Sequence, residues 1–115
     1  MKTAVIAFAL AALAGAMWAQ EAVVRVVDAD ARKAAVQASN PEYPPMAKQM
    51  RIMGRAVVDA HVDTEGKVDK VEPVSGNPVL TAAAVGAVKR WKFSPFSSGG
   101  KPARAVATLT FDFKL

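Results

Sequence analysis

The clearest pattern along the chain is a period of two that begins after Gly54. Ala56, Val58, Ala60 and Val62 fall on one side and Arg55, Val57, Asp59, His61 and Asp63 on the other, which predicts a strand with one buried face. Asp63-Thr64-Glu65-Gly66-Lys67 offers a turn with glycine available for positive φ, and residues 68–75 return as the second strand of a hairpin. Pro73 predicts that this strand lies at a sheet edge, because a residue without an N–H cannot serve a neighbour on both sides. Asn77 and Pro78 read as the cap and first residue of a helix reaching about Trp91. Leu80, Ala84, Val88 and Trp91 mark the helix face laid on the sheet. Pro95 stops any continuation, and residues 94–102 read as a loop rich in Ser, Gly and Pro. Beyond it Ala105, Ala107, Leu109, Phe111, Phe113 and Leu115 alternate with Val106, Thr108, Thr110, Asp112 and Lys114 in a long final strand, apolar on one face.

Upstream, Asn40-Pro41-Glu42-Tyr43-Pro44-Pro45 holds the backbone extended, so a helix can start only at Pro45. Met46, Ala47, Met50 and Met53 recur at helical spacing, and Gly54 stands where a left-handed cap is wanted, which predicts a helix over residues 45–53. Residues 20–39 form an N-terminal arm to which the pattern assigns no firm structure. The valines around Arg25 suggest a short strand, and residues 31–38 have helical composition. The order from residue 40 to 115 is therefore helix, strand, strand, helix, strand.

The first residues change the picture of where the chain acts. Lys2, the apolar run from Ala4, and the small residues Ala14, Gly15, Ala16 and Ala19 have the order of a secretory signal, which assigns residues 1–19 to a cleavable export segment cut at about 16–20. The run is Ala-rich and shorter than the roughly 20 residues that span a bilayer core, so a retained inner-membrane anchor is the alternative. The expected location is the periplasm. Absence of cysteine removes disulfides and the lipid-attachment residue of a lipoprotein. Loss of Lys2 lowers the formal net charge from +5 to +4. Export and the scatter of the basic residues argue against a nucleic-acid partner. Lys89, Arg90 and Lys92 are the one cluster, read as cations in a helix's last turn. About 95 residues remain, enough for one domain.

Candidate chemistry is sparse. With no cysteine and one histidine, few catalytic constellations can be built, and phosphate-cradling glycine loops and nucleophile elbows are absent. Asp59, His61 and Asp63 share a strand face, but no fourth ligand accompanies them, and they read as a solvated polar face. The expectation is a protein that is not an enzyme and needs no metal or cofactor. The final strand is more informative. If the first strand pairs with both others, the last keeps an unpaired row of backbone donors and acceptors, blunted only by Asp112 and Lys114. Three occupants fit such an edge: an extended segment of another protein, residues 21–27 of the same chain, or the same strand of a second copy in a homodimer.

Tyr43-Pro44, Ala47, Arg51-Ile52, Gly54, the Gly66-Lys67-Val68 turn, Val71, Ser75-Gly76, Ala83-Ala84, Val88, Trp91-Lys92-Phe93, Pro95, Gly100-Lys101-Pro102 and Phe111-Asp112-Phe113 form an ordered set. In that order they resemble the C-terminal domain of the TonB energy transducers, over residues 40–115. The resemblance implies an α+β fold, a small three-stranded antiparallel sheet with two helices packed on one face. It also implies that the last strand receives the TonB-box peptide of TonB-dependent outer-membrane receptors. Carried over, the peptide-binding residues are Ala105, Val106, Ala107, Thr108, Leu109, Thr110, Phe111, Asp112 and Phe113, with Asn40, Glu42 and Tyr43 as flanking contacts. Arg51 matches a recurrent family position that a salt bridge or a helix end explains equally well. Family transducers carry an N-terminal membrane helix that meets a proton-driven motor complex and a long Pro-rich spacer. Here an export signal and a short arm stand in those places, so the expected role is peptide docking. Energy transduction through a retained anchor is the alternative.

Overall fold

In the computed structural model of the protein, which describes residues 22–115, the period-two segment forms the central strand. The export segment read over residues 1–19 lies outside the described residues. The elements in chain order are β1 (Val23–Val26), α1 (Asp28–Ala34), β2 (Ala35–Gln37), α2 (Pro45–Gln49), β3 (Gly54–Val62), β4 (Val68–Ser75), α3 (Pro78–Val88), β5 (Lys92–Phe93), β6 (Phe96–Ser98) and β7 (Lys101–Phe113). Sheet order is β1-β7-β3-β4, with β6 folded back on the start of β7. The antiparallel trio β7-β3-β4 is the expected sheet, and Pro73 lies on its outermost strand. The α+β class holds, but the sheet is larger and mixed, because β1 adds to β7 in parallel and a third helix, α1, follows it.

Small residues set the packing distance. Ala60 faces Ala107 across the β3–β7 pair, and both are fully buried, which lets α3 lie close to the sheet. Leu80, Ala84 and Val88 occupy the buried face of α3 as the spacing predicts. The Asn77 carboxamide oxygen accepts the Val79 N–H at 2.9 Å and caps the helix. The helix ends at Val88 rather than Trp91 because its last turn tightens: Arg90 and Trp91 donate to the carbonyls three residues back. Trp91 still reaches the core, while Lys89 is the C-cap and Arg90 and Lys92 lie beyond the helix instead of in its last turn.

Three other expectations are corrected. The helix expected over residues 45–53, α2, stops at Gln49, and Arg51, not Gly54, takes the left-handed turn with φ 53°, so Arg51 serves a helix end. Only Ala47 is buried on that helix, and Met46, Met50 and Met53 are exposed. The expected loop over residues 94–102 contains a hairpin: Gly99 and Gly100, both with positive φ, close the β6–β7 pair, the geometry a type I′ turn requires. In the arm, α1 begins at Asp28, three residues before the expected helix, and residues 35–37 are extended because they pair with β5. Among the described residues, no helix is long and apolar enough to cross a membrane.

Candidate functional site

The outer side of β7 is where the sequence places the docking residues, and its backbone is largely occupied. β3 takes one side of residues 105–113. On the other side β6 covers residues 101–103, and β1 pairs in parallel from Val23↔Arg104 to Val26↔Ala107. Farther along, the Thr110 N–H donates to Asp28 Oδ2 at 2.8 Å, and Arg32 Nη2 donates to the Thr110 carbonyl at 2.7 Å. Asp28 and Arg32, joined at 2.8 Å one helical turn apart, thus supply the acceptor and the donor that a pairing strand would supply. Arg32 lies 5.0 Å from the Phe111 ring centroid and 5.7 Å from that of Trp91, which aims its guanidinium along the edge. Of the three occupants left open by the sequence, residues of the chain's own arm fill the edge.

Alternation sorts the predicted residues further. Ala105, Ala107, Leu109, Phe111 and Phe113 are buried in the core, so their side chains are closed to a ligand on this edge. Val106, Thr108 and Thr110 are half-buried and Asp112 is exposed on the opposite face. Thr110 turns both backbone groups away from β3, so the same alternation turns those of Asp112 outward. Beside Asp112 opens a pocket of about 220 Å³ lined by Asn40, Pro41, Tyr43, Phe111, Asp112, Phe113 and Lys114. Tyr43 meets Phe113 edge-on at 5.4 Å, and its hydroxyl donates to the Ile52 carbonyl. Asn40 and Tyr43 are therefore brought to the end of β7. Glu42 is not; it lines a separate hollow with Pro44, Pro45 and Arg90 beside α3. Asp28 and Arg32 were absent from the sequence reading, and Lys114 entered it only as a charge that blunts the edge. The Asp28/Arg32 spacing directly after a valine-rich run was the available signal.

Asp59, His61 and Asp63 are each engaged separately. Asp59 accepts the Thr108 hydroxyl at 2.7 Å, and His61 Nε2 lies 2.7 Å from Glu72 Oε1 across the hairpin. Asp63 accepts the Glu65 and Lys67 amides at 2.9 Å and closes the turn, and the Lys67 amide chiefly holds its carboxyl below the ordinary range. Glu72 is lowered first by its bond to Lys70, then by His61. Among the described residues, no group of three or more His, Asp or Glu is gathered to hold a metal ion.

Burial raises the Asp28 pKa, but the Arg32 bond and the Thr110 amide outweigh it and leave the group below its ordinary 3.8. A group lowered by folding contributes stability above its unfolded pKa and loses it as pH falls through the folded value. Acidification below about pH 4 is therefore expected to release α1 from β7 before the core opens. In an NMR pH titration the Thr110 amide should move below about pH 4 and ahead of global unfolding; unchanged Thr110 signals down to global unfolding would count against the contact.

A mixed sheet under one main helix, with a final strand whose outer side pairs in parallel with a strand of the chain's own arm, defines a small α+β domain. The model of the Gram-negative bacterial TonB protein C-terminal family matches residues 39–115, and the chain belongs to that family. It is 38% identical over 77 residues to the protein TonB2 of Pseudomonas aeruginosa, covering 65% of this chain and 28% of that protein. It is 31% identical over 74 residues to the TonB protein of Escherichia coli K12, covering 63% of this chain and 29% of that one. The solution NMR structure of the Pseudomonas aeruginosa TonB C-terminal domain superposes with a TM-score of 0.55 at 30% identity, covering 70% of this chain and 84% of that one. The matched region thus spans under a third of the length of these two relatives.

Proposed function

We propose that this protein is an exported, periplasmic docking module of TonB-dependent transport, binding extended box peptides of outer-membrane receptors as an added strand on β7. The observation that carries the reading is the parallel pairing of β1 with residues 104–107, since an edge that accepts one short strand has the spacing to accept another of similar character. Family membership supports the receptor as the source of that strand. Backbone pairing supplies most of the affinity, because the core-facing side chains of β7 are already buried. The pocket at Asn40, Tyr43 and Asp112 supplies the side-chain contacts that distinguish one peptide from another. The role is binding rather than catalysis, and it calls for no cofactor.

The test is an NMR titration with synthetic peptides carrying the box segments of the host's outer-membrane receptors. Binding is expected to shift the amides of Thr108, Thr110 and Asp112 together with Tyr43. If no peptide shifts them at millimolar concentration, either in the native chain or in a variant with Asp28→Ala and Arg32→Ala, the docking reading is wrong.

A further inference from the structure

We infer that the arm is a tethered occupant of the docking edge, which an incoming peptide must displace strand for strand, starting from the open end at Asp112. The inference rests on the docking reading above and adds how the site is regulated and what it selects. The arm's hold is short. β1 pairs through four residues, of which Val26 is buried, Val24 half-buried and Val23 exposed, whereas β3 pairs with β7 along nine. A groove of about 400 Å³ runs along the seam between Val26, Asp28, Thr108 and Thr110, so the arm fills the edge incompletely. Ala31 is its other buried anchor, and the Asp28/Arg32 pair on Thr110 is its lock.

The base of the arm is fastened more firmly. Ala35 pairs with Phe93, Ser94 donates to the Ala34 carbonyl at 2.8 Å, and the Trp91 indole donates to the Ser39 carbonyl at 2.8 Å. Released, residues 22–34 would remain attached beside the edge at an effective concentration on the order of millimolar, which makes the arm a standing competitor. A peptide that pairs first with the outward backbone of Asp112, next to the Tyr43 pocket, gains contacts before any arm contact breaks. Progress along β7 then requires it to replace the lock at Thr110 and the pairing at residues 104–107. The arm also states the chemistry of a successful competitor: an extended parallel segment with aliphatic residues at alternate positions, in the places of Val24 and Val26.

Two variants read out opposite effects with the same box peptides. Asp28→Ala with Arg32→Ala removes the lock and leaves the core residues in place; peptide affinity should rise about tenfold or more, as expected when the open form rises from a tenth of the population or less. Arg25→Cys with Val106→Cys joins directly opposed residues of β1 and β7 in a chain that has no other cysteine. When oxidised it should lose binding along residues 104–110, and reduction should restore it. Equal affinity of the unlocked and native chains, or undiminished shifts in the oxidised variant, overturns the inference while leaving the docking function intact. Failure of native, unlocked and reduced chains alike to bind removes the docking function, and the inference falls with it.

Discussion

Trp91→Ala is expected to lower stability by about 3–5 kcal/mol, a large share of the roughly 5–15 kcal/mol that holds a small domain. The indole is 2% exposed and stands edge-on to Phe111 at 6.0 Å and beside Phe93 at 5.9 Å. Removing it empties the space between α3, β5 and β7 and leaves the Ser39 carbonyl without its donor. The same ring underlies Arg32, so the variant should also loosen the arm. Trp91→Phe keeps an aromatic body and loses the donor; it should cost about 1–3 kcal/mol, mostly for the unpaired carbonyl. Urea unfolding followed by far-UV circular dichroism separates the cases. A Trp91→Ala protein within about 1 kcal/mol of the native one would show that the ring is not the centre of the core.

The second large effect is expected at Gly66, in the β3–β4 turn. Its φ is 89°, and a Cβ placed there would lie 1.9 Å from the Phe93 carbonyl oxygen, a backbone atom that cannot step aside cheaply. The Phe93 N–H donates to the Gly66 carbonyl at 2.9 Å, so the hairpin tip is held against β5. Gly66→Ala therefore adds strain to a steric clash and should cost at least about 2–3 kcal/mol. Gly86 is the contrast. It lies in the interior of α3 with nothing within 4 Å of its missing Cβ, and Gly86→Ala should stabilise by about 0.5–1 kcal/mol. Opposite signs in parallel thermal melts are the expected outcome; equal shifts would sink the argument from backbone geometry.

The core faces around the candidate site were legible from residue order. Ala56, Val58, Ala60 and Val62 are buried as their alternation requires, and the core face of β7 is the one read from Ala105 to Phe113. Tyr43 and Asn40 do meet the end of β7 in one pocket. Glu42 does not; it lines the hollow beside α3 with Pro44, Pro45 and Arg90. The arm was the hardest part to read. Val23–Val26 is too short for a firm period, and its partner begins about eighty residues later in the chain. Residues 35–37 have helical composition and are extended because β5 offers backbone partners there, an instance of tertiary pairing overriding propensity.

By itself the sequence determined the three antiparallel strands, the buried faces of β3, α3 and β7, and the family, because side-chain periodicity and turn residues are local properties. Which backbone lies against the outer side of β7 was decided only by the tertiary structure. Main-chain donors and acceptors are the same in every residue, so the residue pattern marks an edge without naming its occupant. Here the fold brings Val23–Val26, Asp28 and Arg32 to that edge, so the outer side of β7 is held by the chain's own arm.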